Sequence, residues 1–235
     1  MSPPLLPPAF QLVALHREAD AFERARRAAP RGLDDGTVYW TDRADRLSLA
    51  VAIEPEAPRA EALRAVHVLG VAAGDALGAL VPPGLELAFA WPGALVLDGV
   101  RVGRVRAALG GTADADAVPP WLVLGLEVGI ETCADASDAP HDGASLADSG
   151  ADVTAVRLAE DAARHFLGWA QRWRDEGFGP VRDAWNARCF RRGAEATFEV
   201  AGERRSGIVR GLDGGGDLRV GGTALPLEAA LAEQG

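Results

Sequence analysis

The apolar positions of this chain change period several times, and each change marks an element. "HREADAFERARRAA" (His16 to Ala29) carries Ala21, Phe22, Ala25 and Ala28–Ala29 on one stripe at helical spacing, which predicts a helix. Proline-rich residues 3–8 form an extended lead-in to it. "GTVYW" and "RLSLAVAIEP" follow as two strands, the second alternating through Leu47, Leu49, Val51 and Ile53. Only "TDRAD" (Thr41 to Asp45) connects them. "RAEALRAVHVLGVAAGDALGAL" is a long apolar helix ended by the breaker "VPPG". His67 sits inside it and reads as a packed or rim residue.

Three strands come next in "FAWPGALVLDGVRVGRV" (Phe89 to Val105), turning at Trp91-Pro92 and at Asp98-Gly99. After the polar loop "GGTADADAVPP", "WLVLGLEVGI" reads as a buried strand, and "ADASDAPHDGASLADSG" as a polar, irregular excursion. A helix pair follows, its first member burying Leu158, Ala162, Phe166, Trp169 and Trp173. Gly177 suits a left-handed helix end, and Pro180 the first turn of the next helix. From Phe190 the texture changes to short strands punctuated by glycine, the pattern of a small β-barrel. A boundary is therefore expected near residue 190, dividing the chain into 1–190 and 191–235.

Composition narrows the function classes. With 48 % hydrophobic and 25 % charged residues the chain has the make-up of a globular protein, and no run approaches the ~18 apolar residues of a membrane span. A net charge of −10 argues against a nucleic-acid partner, which demands a basic face. The start "MSPPLLPPAF" lacks a basic region followed by an apolar core, so a cytoplasmic location is expected. Cys133 and Cys189 lie too far apart for metal-ligand spacing, and His141 has no second imidazole nearby, so no metal site is expected. Lysine is absent: all 24 Lys-plus-Arg positions are arginine. No lysine can therefore serve as a Schiff-base former, a low-pKa base or a compact phosphate contact.

The order of elements resembles the biotin/lipoate–protein ligase family. The opening helix, "RLSLAVAIEP", the long helix, the Trp-Pro hairpin, "WLVLGLEVGI" and the closing helices with "EGFGPVRDAW" fall in that family's order. "SGIVRGLDGGGDLRV" (Ser206 to Val220) is similar to the SH3-like C-terminal domain of biotin ligases. The resemblance implies an α+β fold: a mixed β-sheet flanked by helices over 1–190, then a small SH3-like barrel over 191–235. It also implies biotin or a lipoate-type ligand, ATP, and an acceptor carrier domain as partner.

Departures from the family pattern bear on the chemistry. Where the family opens its hairpin with K-W-P-N-D, this chain has Ala90, Trp91, Pro92, Gly93 and Ala94, so only Trp-Pro survives. The family's next strand carries a lysine, in a K-V-x-G context, that holds the ligand carboxylate and the adenylate phosphate. The matching residues are Arg101, Val102, Gly103 and Arg104. A Gly/Arg-rich loop should fold over the acyl-adenylate between the first two core strands. Here there is the short connection, with Arg43 and Arg46 as its remnants. Bringing a carboxylate against an α-phosphate joins two anions, and each lost donor typically costs ~10²–10³ in rate. Arg101 keeps the charge but offers a planar fork in place of an ammonium.

Three functions are thus in contention. The first is a divergent family enzyme that attaches or handles a carboxyl-bearing ligand, with Arg101 as the clamp and Arg43, Arg46, Trp91, Gly103 and Arg104 around the ligand. The second is a non-catalytic ligand- or protein-binding module on the same fold. The third is a cysteine-dependent acyl carrier through Cys133, which follows "GLEVGI"; without a basic neighbour to lower its pKa, an inert thiol is the better reading.

Overall fold

The computed structural model describes residues 2–111, 114, 116–132 and 144–233. Seven strands build one mixed sheet: β1 (Gln11–Leu15), β2 (Thr37–Thr41), β3 (Arg46–Ile53), β4 (Leu87–Ala90), β5 (Ala94–Leu97), β6 (Val100–Leu109) and β7 (Leu122–Gly129). Their order across the sheet is β1-β2-β3-β7-β6-β5-β4. β1 and β2 run parallel, and every other neighbouring pair is antiparallel.

The central strands β3 and β7 are buried on both faces, which is why they are nearly continuous in apolar residues. On one face, Leu47, Leu49, Leu124 and Leu126 pack against helix α3 (Ala65–Leu80), whose buried residues run almost all round. By length and composition the stretch Arg59–Leu80 could cross a membrane, but here it is mostly buried as the central core helix. It is in fact two helices, α2 (Arg59–Ala62) and α3, with Leu63 and Arg64 between them. α4 (Ala155–Glu176) and α5 (Gly179–Ala187) complete this layer. Thr154 caps α4, accepting from the Arg157 N–H, and Gly177 ends it at φ 75° with Pro180 opening α5.

The opposite face carries one short helix, α1 (Ala21–Ala28). It packs Phe22 and Ala25 against Tyr39, Ala50 and Val123. Gly125 makes this approach possible, since a Cβ there would lie 2.7 Å from the Phe22 ring. The expected helix over residues 16–29 thus starts only at Ala21, where Asp20 accepts from the Glu23 N–H as N-cap. His16–Asp20 form a turn instead, and Gln11–Leu15 ahead of them form β1, which the sequence pattern did not reveal.

A second, four-stranded antiparallel sheet follows: β8 (Glu195–Val200), β9 (Glu203–Leu212), β10 (Leu218–Val220) and β11 (Thr223–Leu225), with α6 (Leu227–Ala232) after it. The chain is α+β, a mixed sheet flanked by helices and then a small β domain, as expected. The two sheets share one core, since Val209, Leu212, Leu218 and Leu231 belong to the same buried cluster as Leu124. Trp91 packs edge-on against Phe198, with ring centroids 6.3 Å apart. The Asn186 amide ties α5 to β9, donating to Leu212 O at 3.1 Å and accepting from Leu212 N at 2.6 Å. His67 is fully buried, with its Nε2 2.9 Å from Gly216 O and its ring edge-on to Trp185. Burial in these apolar surroundings lowers its pKa to about 4.

Candidate functional site

The arginines singled out by sequence gather at one end of the large sheet, where β2 ends, β3 and β6 begin and β7 ends. In the ladders, Arg46 lies opposite Gly129 and Gly103 opposite Val128. Arg46 and Arg101 thus flank the end of β7, on strands about 10 Å apart at ~4.8 Å per neighbour.

A register shift decides which way Arg101 faces. Ala94 lies opposite Arg104 and Leu95 opposite Gly103, but Val96 lies opposite Arg101. β6 thus carries one extra residue, Val102, which is buried in the main core. Strict alternation would put Arg101 and Arg104, three positions apart, on opposite faces of the sheet. The bulge brings them to the same face, with Val96 and Ala94. That face also holds Ser48 and Glu127, and α1 crosses it. Gly103 faces the core; a Cβ there would lie 2.5 Å from Glu127 O, so glycine lets β6 and β7 close at the bulge. Trp91 belongs to the main core cluster and to the junction with the second sheet, so the structure does not bring it to the arginine face.

Ion pairs organise the face. Glu127, 5 % exposed, accepts from Arg104 Nε at 2.6 Å and from Arg106 at 2.9 Å. Arg106 also donates to Asp20 at 2.9 Å and to Glu23 at 3.1 Å, and its guanidinium lies 4.1 Å from the centre of the Phe22 ring. Burial alone would lower the Arg106 pKa, but these carboxylates raise it. Burial likewise opposes the ionisation of Asp20, and the Glu23 N–H and Arg106 outweigh it, holding its pKa below the ordinary value. Sequence reasoning missed Glu127, Arg106 and Asp20. The available signal was Glu127, the single charge in "WLVLGLEVGI".

The connection between β2 and β3 is short and tied down at several points. Arg43 grips Asp45 with two bonds, at 2.8 and 2.5 Å, and Arg46 Nε lies 3.6 Å from the same carboxylate. Donation from Arg43 pulls the Asp45 pKa down to about 2. The Asp45 carbonyl accepts from the Ile130 and Glu131 N–H groups at 2.8 and 3.1 Å, pinning the connection to the end of β7. Thr41 Oγ1 donates to Ala19 O at 2.9 Å. Cys133 and His141 lie outside the described residues.

A mixed sheet flanked by helices and followed by a small C-terminal β domain is the fold of a biotin-ligase-type protein. The Biotin/lipoate A/B protein ligase family model matches residues 6–187, and the chain belongs to that family. A biotin–[acetyl-CoA-carboxylase] ligase from Paracoccus denitrificans is 26 % identical over 190 residues, covering 79 % of this chain and 78 % of that protein. The crystal structure of a biotin protein ligase-like protein of unknown function from Silicibacter sp. TM1040 is 34 % identical. It superposes with a TM-score of 0.86 over 97 % of this chain and 98 % of that one. Biotin protein ligase from Aquifex aeolicus in complex with biotin and ATP shares the fold, at TM-score 0.73 and 15 % identity over 89 % and 90 % of the two chains.

Proposed function

We propose that this chain binds a small carboxyl-bearing ligand of the biotin or lipoate type and handles it for an acceptor carrier domain, with Arg101 as the cation for the carboxylate. The observation that carries this reading is the β6 bulge, which turns Arg101 onto the face of Arg104 and Ser48, over which α1 lies. A guanidinium there would hold a carboxylate through two parallel N–H···O bonds. Arg46, across β7, extends the positive rim, while Glu127 and α1 hold Arg104 and Arg106 in place. Division of the chain at about residue 190 belongs to the same reading: residues 1–190 carry the site, and 191–235 pack behind the hairpin.

ATP fits these residues poorly. The Thr41–Asp45 connection is only five residues long, with Arg43 held by Asp45 and Asp45 tied to the end of β7, which is short for a loop that folds over an adenylate. Ligand handling without ATP-dependent activation is therefore favoured over full ligation. The internal neutralisation of Arg43 by Asp45 and of Arg104 by Glu127 also favours a second reading, a non-catalytic binding module. A melting-temperature screen with biotin, lipoate, octanoate and ATP, singly and combined, separates the two. A ligand at 100 times its Kd adds about 2.7 kcal/mol of stability. A response to one carboxylate alone supports ligand handling. A response that needs carboxylate and ATP together restores an activating enzyme. No response to any of them leaves a protein-binding module.

A further inference from the structure

A groove of about 610 Å³ opens at the other end of the large sheet, away from the arginines. β3 runs from Arg46 at the arginine end to Ile53 in the groove, and β7 runs back from Leu122 in the groove to Gly129. At ~3.3 Å per residue, these eight-residue strands separate the two places by roughly 25 Å.

The apolar surface that the groove presents is Ile53 together with Leu167, Ala170 and Trp173 of α4, backed by the buried Val51, Val68, Leu122 and Phe166. The Trp173 ring meets Phe178 edge-on at 6.4 Å. Carboxylates form the rim: Asp35, Glu54, Glu56 and Glu61. Asp35 accepts from the Glu54 N–H at 2.9 Å, which fixes the two rim segments together. Among the described lining residues the one cation is Arg174, which donates to Gln171 on its own helix. The volume falls in the ~300–1,000 Å³ range of small-molecule sites. A rim of carboxylates around an apolar cleft concentrates positive charge there, which suits an organic cation with an apolar body.

We propose that this groove is a second binding site, taking a small organic cation with an apolar body, of the alkylamine or arylamine class. The apolar body would lie on Ile53, Leu167 and Ala170 against Trp173, with the ammonium at Glu54 and Glu56. A carboxylate ligand is repelled here, so this site and the arginine face select opposite charges. The proposal does not depend on the function assigned to Arg101.

Octylamine, octanol and octanoate share one chain and differ in head charge, so titrating each into the full-length protein by calorimetry tests it. Octylamine is expected to bind saturably, more tightly than octanol, and more weakly in 1 M than in 0.1 M salt. The exposed pair Glu54→Gln/Glu56→Gln should weaken octylamine roughly fivefold or more while leaving octanol unchanged. Arg101→Ala should leave octylamine binding intact, which keeps this result separate from the fate of the carboxylate site. Equal affinity for octylamine and octanol, no effect of the double substitution, or no saturable octylamine binding would overturn the proposal.

Discussion

Arg101 lies opposite Val96 in the β5–β6 ladder, although Gly103 lies opposite Leu95. That single shift sets the character of the candidate site, because it turns the arginine that replaces the family lysine onto the same face as Arg104. Inserting one alanine between Leu95 and Val96 would give Val102 a partner, restore strict alternation along β6 and turn Arg101 toward the core. The insertion is expected to abolish ligand-induced stabilisation and to lower the melting temperature. Unchanged ligand response in the folded insertion variant would show that the bulge does not place the site.

Glu127 should be a keystone of the face. It is the buried acceptor for both Arg104 and Arg106, so Glu127→Ala leaves a buried guanidinium short of a partner. Breaking a buried pair by removing one member costs about 3–5 kcal/mol. Denaturant unfolding of Glu127→Ala, with Glu127→Gln as the milder control, measures it.

Legibility divides along the same line. The strands β2, β3, β6 and β7 show in the sequence because alternation or continuous apolar character reports burial directly. β1 does not show, because Gln11–Leu15 is a short edge strand directly after a proline-rich run, and its parallel partner is distant in sequence. Arg101 could be picked out by its position after Trp91-Pro92, but its direction depends on the bulge, which no residue pattern announces. The pairing of Arg43 with Asp45 follows from the closure of a short turn, and the grip of Glu127 on two arginines follows from cross-strand register. Trp91 reads from sequence as a residue around the ligand, but its ring contacts place it with Phe198 at the junction of the two sheets.

His67 should make stability depend on pH. Its folded pKa of about 4 lies below the ordinary 6.5, so the unfolded chain binds the extra proton between these values. With Nε2 facing Gly216 O, protonation would add a hydrogen to Nδ1, which is buried without a partner. Stability from this residue is complete above pH 6.5 and is lost as pH falls toward 4, by about 3 kcal/mol in all. Chemical unfolding at pH 7, 5.5 and 4.5 should show that slope in the wild type. His67→Leu should flatten it, even though the variant also loses the contact to Gly216.

Trp91 should couple the two sheets. Trp91→Ala removes a ring buried between the hairpin and Phe198 and should cost about 3–5 kcal/mol. Limited proteolysis of the variant should cut first within residues 191–235. Because the sheets share one core, a chain ending at residue 190 should melt well below the full-length protein.

Calorimetric titration of biotin, lipoate and octanoate into the wild type, Arg101→Ala and Arg101→Lys tests the central claim most directly. The account predicts that one of these carboxylates binds the wild type without ATP. Arg101→Ala should weaken it by about 2–4 kcal/mol. Arg101→Lys should fall between the two, because an ammonium keeps the charge and loses the bidentate fork. Equal affinity in all three proteins would contradict the account and remove Arg101 from the site.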